Sequence, residues 1–293
     1  MKEQFKDIRF SVKSLGLINT ANEIVDEYSA QGFSLTLRQL YYQFVSRDII
    51  ENTERSYKNL GATINDGRLA GLIDWSAIED RTRNLRANQH WDSPGQIART
   101  CVRAYYKDHW ENQSHRIEVW VEKEALSGVA EAACLPLDVP FFCCKGYTSQ
   151  SEMYAAAQRL IGYDGSGHTA VIIHLGDHDP SGIDMSRDIE ERLGMFTAGQ
   201  DLEFKRIALN MDQIEEYAPP PNPAKISDSR FDSYQAKFGG KSWELDALEP
   251  KVLVDMIQAE INQYRKPGRW GQVEAEQAAG QEKLRRMADK LDK

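Results

Sequence analysis

The sequence predicts an α/β protein, with a helical N-terminal domain over residues 1–112 and, over residues 113–293, a domain whose mostly parallel sheet is flanked by helices. Three observations predict it. Short apolar runs alternate with helix-like stretches through the back half, as in strand–helix–strand units. Short amphipathic stretches with capping residues fill the front half. Two of the back-half apolar runs end in carboxylates, and parallel sheets carry their sites at strand carboxyl ends. A length of 293 residues fits two domains better than one.

In the front half, Asn19 or Thr20 caps a helix through Ile24, Val25 and Tyr28, with Gly32 just past its end. Ser34 or Thr36 caps the next, whose apolar stripe is Leu37, Leu40, Tyr41, Phe44 and Val45. A third runs from Ser56 to Ala70, followed by Trp75, Ile78 and the arginine-rich EDRTRNLR segment. Three short helices before a polar, extended flap are compatible with a winged helix-turn-helix. Beyond residue 116 the strands are Ile117–Val121, Pro140–Cys144, Thr169–Leu175 and Phe204–Leu209, with helices between them around 126–133, 153–160 and 183–193. APPPNP at 218–223 is a stiff connector, and a charged helix closes the chain over Gln272–Leu291.

Composition narrows the class. Hydrophobic residues are 41% and charged residues 28%, ordinary for a globular domain. The longest apolar run, Thr169–Leu175, is strand-sized, so no membrane span is expected. MKEQFKDIRF carries no apolar stretch behind its charges, which argues against a secretory leader. Cys101, Cys134, Cys143 and Cys144 fit neither a disulfide framework nor a zinc spacing, and the adjacent Cys143 and Cys144, inside an apolar run, read as reduced core residues of a cytoplasmic protein. The net charge of −9 is uneven: +1 over residues 1–116 and −10 over the remainder. That balance permits a DNA partner at the front and asks for cations at the back.

Glu122 closes IEVWVE, and Asp177 and Asp179 follow VIIHLG. Alternate residues of an extended turn point the same way, so the two aspartates are expected to converge while His178 faces elsewhere. Together the three carboxylates repel unless a cation neutralises them, and all-oxygen ligation suits Mg2+. The plainer reading is that the aspartates cap a turn and Glu122 lies on the surface. His174, inside an apolar strand, reads as core.

VEKEA followed by GDHDPSG resembles a Toprim domain, and with GYTSQSE between them the chain most resembles the topoisomerase VI A subunit and its meiotic double-strand-break relatives, over approximately residues 30–250. The resemblance implies a compact, stand-alone A-like member, with magnesium at Glu122, Asp177 and Asp179, and with Glu124 and Asp184 near enough to assist. It also implies a winged-helix domain with a nucleophilic tyrosine, which falls on Tyr42 of Arg38-Gln39-Leu40-Tyr41-Tyr42. The residue after the arginine is often acidic in that family and is Gln39 here. Helix geometry selects the same tyrosine: Tyr41 lies in the apolar stripe, and Tyr42 lies off it, one turn beyond Arg38. A cation there favours the phenolate and holds the attacked phosphate.

Arg55, Lys58 and Arg68 along the third helix, with Arg81, Arg83 and Arg86 beside it, are candidate phosphate contacts; pairing with Glu54, Glu79 and Asp80 on a solvated face is the alternative. The expected activity is Mg2+-dependent tyrosine transesterification on double-stranded DNA, that of a type IIB topoisomerase. The resemblance implies a homodimer in which each tyrosine meets the other copy's carboxylates, and an ATP-hydrolysing B-type subunit for strand passage. The chain itself has no GxxxxGK[ST] loop. The alternatives are a Toprim nuclease that activates water and a non-catalytic DNA-binding protein of a mobile element.

Overall fold

The computed structural model describes residues 2–78, 90–198 and 200–291. Helices α1 (Val12–Ala30), α2 (Leu37–Ser46) and α3 (Glu54–Leu69) form the front unit, each opened by a hydroxyl cap at Ser11, Thr36 and Thr53. The first helix starts well before Asn19, because Ser11 accepts from the Ser14 amide while the opening turn is solvated and shows no apolar periodicity. These helices share one core, in which Ile18, Ile24, Tyr28, Leu40, Phe44, Leu60 and Ile64 meet.

Helix α4 (Pro94–Ala104) leads into β1 (His115–Val121), α5 (Ser127–Cys134), β2 (Phe141–Cys143), α6 (Gln150–Gly165), β3 (Thr169–Leu175), α7 (Pro180–Phe196) and β4 (Leu202–Ala208). These strands make one parallel sheet in the order β2-β1-β3-β4, as the alternation predicts. Side chains alternate along each strand. Ile117, Val119 and Val121 of β1, with Val171, Ile173 and Leu175 of β3, face a core that includes Val129 and Ala133 of α5. Trp120, Ala170 and Ile172 face the opposite core with Met153, Leu160 and Ile189 of α6 and α7. Glu118 shares that second face, where burial requires partners: Arg159, Tyr163 and Trp120 all donate to its carboxylate.

The remaining elements are α8 (Met211–Tyr217), β5 (Asn222–Pro223), α9 (Phe231–Phe238), β6 (Lys241–Ser242), α10 (Pro250–Tyr264) and α11 (Pro267–Leu291). The proline-rich connector therefore ends in a strand, since β5 pairs antiparallel with β6. Helix α10 lies with α5 on the first sheet face, and α11 packs along α4. Between β6 and α10 the 3-10 turn Leu245–Ala247 sits on α2 and contributes Ala247 to the front core. This turn joins the front helices to the sheet unit. Among the described residues no helix is long and apolar enough to cross a membrane.

Candidate functional site

The sheet order makes β1 and β3 the switch point: the chain leaves β1 to one side for β2 and returns on the other for β3. Ligand sites of open parallel sheets form at the carboxyl ends of such strands. The register sets Val121 against Leu175, and the Glu122 amide continues the ladder to the Leu175 carbonyl at 2.9 Å. Glu122 and the Gly176–Asp179 turn are neighbours for that reason.

The turn is crowded enough to require its glycines. A Cβ on Gly182 would lie 2.3 Å from the Asp177 carbonyl oxygen and 3.1 Å from Glu122 Oε2; one on Gly176 would lie 3.0 Å from that same oxygen. The glycines make room for the Glu122 carboxylate, which accepts the Asp177 amide at 2.8 Å. Beneath the turn, Arg206 from β4 donates to the carbonyls of Asp177 (2.7 Å), Gly176 (3.0 Å), Leu209 (3.1 Å) and Gly182 (3.2 Å). His178 is buried and donates its backbone amide to the Trp243 carbonyl, while Trp243 donates back to His178. His174 is also buried, as expected, beside Ser186.

A cleft of about 840 Å³ opens above this turn and extends to the front helices. Its wall includes Glu122, Asp177 and Asp179 from the sheet edge, Arg38 and Tyr42 from α2, and Lys58 from α3. The cleft thus brings together the residues expected for metal and nucleophile within one chain. It does not draw the carboxylates around a common point: among the described residues no group of three acid, histidine or cysteine side chains is arranged to hold a metal ion. Asp177 and Asp179 diverge instead of converging. Asp177 Oδ1 accepts the Leu245 amide at 2.8 Å and Oδ2 meets Lys123 at 2.9 Å, whereas Asp179 caps α7 by accepting the Gly182 amide at 2.6 Å. The donor set still suits a hard cation. Burial, reinforced by Glu122 and Asp246 and opposed by Lys123, raises Asp177 to about 8, and burial raises Glu122 as well. Buried carboxylates in excess of their cations favour a divalent ion of oxygen preference.

Tyr42, predicted by its place off the helix stripe to stand clear of the apolar packing, does not. Its ring is 3% exposed and packs in the front core beside Tyr41, at 5.3 Å between centroids. The reason is the docking of residues 244–247 on α2, which covers a face that helical periodicity alone leaves open. The Glu244 carboxylate lies close enough to act on the Tyr42 hydroxyl electrostatically, and the Arg38 guanidinium lies 6.0 Å from the ring centroid. Burial pushes the phenol well above its usual range; Glu244 and Asp246 add to this, and Arg38 and Lys123 oppose it. Tyr41 has a different task. Its hydroxyl donates to Asn52 Oδ1 at 2.9 Å, and Asn52 donates onward to Asn222 at 2.6 Å, tying α2 to β5 across the cleft rim.

Gln39 has a structural explanation. It is the N3 residue of a capping box: its side chain accepts the Thr36 amide at 2.9 Å while the Thr36 hydroxyl accepts the Gln39 amide at 3.3 Å. Glu and Gln serve equally in that box. Residue 39 therefore points to the helix start and not to the tyrosine.

Sequence reasoning missed Lys123, Arg206, Glu244 and Asp246. Lys123 Nζ lies 2.6 Å from Glu244 and 2.9 Å from both Asp177 and Asp246. Arg38 pairs with Glu244 and, at 3.3 Å, with Asp246. Burial would lift the Glu244 carboxyl, but Lys123 and then Arg38 outweigh it and hold Glu244 at about 2. The available signal for Lys123 was its place beside Glu122 at a strand end; nothing local marks Glu244. Of the proposed helpers, Glu124 pairs with Lys145 at 2.8 Å, and Asp184 is engaged by Tyr147 (2.6 Å), Arg187 (2.6 Å) and Arg230 (2.8 Å).

Among the candidate phosphate contacts, Arg55 is exposed on α3, and Lys58 pairs with Glu54 at 2.7 Å on the cleft wall. Arg68 faces inward: it donates to the carbonyls of Trp75 (3.0 Å) and Ile78 and stacks on Trp75. Arg81, Arg83 and Arg86 lie outside the described residues. Comparison of the chain with protein-family models and with curated proteins returned no match.

Proposed function

We propose that this chain is a DNA-cleaving protein of the topoisomerase VI A-subunit type, in which Tyr42 attacks a backbone phosphate. The observation that carries the reading is the single cleft shared by Tyr42, Arg38, Glu122, Asp177 and Asp179. The motif resemblance supplies the reaction. Glu122, Asp177 and Asp179 would hold Mg2+, which when bound stabilises charge on the transferring phosphate. Arg38 orients the phosphate. The phenolic oxygen of Tyr42 bonds to phosphorus as the strand's own P–O ester bond breaks; the phenol loses its proton and the departing deoxyribose oxygen gains one. The resemblance adds a second copy of the chain for a break in both strands, with an ATP-hydrolysing partner for strand passage. The cleft departs from it in facing Tyr42 toward the carboxylates of its own chain. The chain alone is expected to cleave without relaxing supercoils processively.

A second reading has its own observation. The buried, upshifted phenol favours a Toprim nuclease in which water is the nucleophile and Tyr42 only packs. Incubation with supercoiled plasmid and Mg2+, followed by denaturation and digestion, separates the two. Transesterification leaves a nucleotide adduct on Tyr42, and Tyr42→Phe abolishes cleavage. Nicking that survives Tyr42→Phe without an adduct replaces the first reading with the second. Duplex binding with no Mg2+-dependent cleavage in either protein leaves the DNA-binding alternative.

A further inference from the structure

We propose that Glu244 is an internal phosphate mimic, a carboxylate latch occupying the seat where Arg38 and Lys123 would receive a phosphate of the substrate. This inference rests on the DNA-cleavage reading for the identity of the natural occupant. Its chemistry, an anion exchanged for an anion, stands on the cluster itself.

Two cations from separate elements, Arg38 of α2 and Lys123 just past β1, converge on one carboxylate. Arg38 Nη2 and Lys123 Nζ both reach Glu244 Oε2, the latter at 2.6 Å. A guanidinium and an ammonium around one anion are also the donors a phosphate oxygen takes. Glu244 and Asp246 have different parts. Asp246 has a fully buried side chain, lies 2.9 Å from Lys123 and 3.3 Å from Arg38, and holds both cations from behind. The Glu244 side chain is 25% exposed and faces the cleft.

The backbone under the latch is fixed. Trp243 and His178 exchange backbone hydrogen bonds of 2.8 and 2.9 Å, and the Leu245 amide donates to Asp177. Opening therefore asks only for rotation of the Glu244 side chain, with the cations left in place against Asp246. The charge balance agrees. Displacing Glu244 takes one negative charge away from Arg38 and Lys123, so the open seat is one unit more positive toward a phosphodiester than the closed one.

The test uses the full chain without divalent metal and two probes, inorganic pyrophosphate and a short duplex. Glu244→Gln should be stabilised against heat by millimolar pyrophosphate when the wild-type chain is not. It should also bind the duplex about tenfold tighter, with a salt dependence steeper by about one unit. Glu244→Ala should behave alike, which covers a folding failure of the first variant. Adding Arg38→Ala should erase the gain, because a general loss of negative charge would persist without Arg38. Variants that fold but respond to pyrophosphate as wild type does, or a gain that survives Arg38→Ala, overturn the latch. A pyrophosphate response without duplex binding by any variant retains the latch and removes DNA as the substrate.

Discussion

Gly182→Ala puts one methyl group against the turn that carries the acids. The new Cβ would stand 2.3 Å from the Asp177 carbonyl oxygen and 3.0 Å from its carbonyl carbon. Both are backbone atoms, held by Arg206 from below, so no flexible side chain can yield. The overlap with the oxygen is about 1 Å against ordinary contact, and overpacking of this kind costs about 1–3 kcal/mol, more where backbone must move. Gly194 on the same helix provides the control: nothing lies within 4 Å of its ideal Cβ, so Ala there should gain roughly 0.8–1 kcal/mol of helix propensity. At about 2–4 °C per kcal/mol for a chain of this size class, the two variants should differ in Tm by roughly 4–16 °C, with opposite signs relative to wild type. Thermal unfolding by circular dichroism at matched concentration reads both. Equal Tm values, or Gly182→Ala melting with wild type, would refute the packing account of the turn.

Arg206→Lys should lower stability by about 2–3 kcal/mol, since one ammonium cannot reproduce a fork that reaches the Gly176, Asp177, Gly182 and Leu209 carbonyls. Hydrogen exchange should accelerate first at the amides of residues 177–182, and uniform protection there would count against this role. The thiols give an independent check on the core. Burial raises Cys134 and Cys144 to about 12, so both stay neutral and shielded at pH 8, while Cys101 is exposed. Iodoacetamide should modify Cys101 first in the folded chain and reach Cys134 and Cys144 only on unfolding, as mass spectrometry of digests would show; early labelling of Cys144 would contradict the packing of α6 on the sheet.

The strands were legible because their signal is local. Thr169–Leu175 is a continuous apolar run that only a strand buried on both faces accommodates, and its bounds in the structure are those expected. The cap of α2 was legible as one of two hydroxyls, Ser34 or Thr36, and the structure uses Thr36, with Gln39 completing the box within one turn. The start of α1 was not, because Val12 is 89% exposed and gives no periodicity to read. The wing expected after α3 runs into residues outside those described. Glu122, Asp177 and Asp179 could be named because acids at strand ends stand out against apolar neighbours. Their divergence could not be foreseen, since Asp179 serves the helix it precedes and Asp177 serves a segment more than sixty residues later.

The sequence by itself determined the strand–helix order, the carboxyl edge at which the acids gather, and the helix that carries Tyr42. These follow from periodicity, capping and chain direction, which act over a few residues. Only the tertiary structure decided which charges meet: Lys123 and Arg38 against Glu244 and Asp246, and a tyrosine covered from above by residues 244–247. Electrostatic pairing depends on distance through space and on burial. In this fold both are set when the 3-10 turn Leu245–Ala247 docks on α2, a contact that neither segment encodes alone.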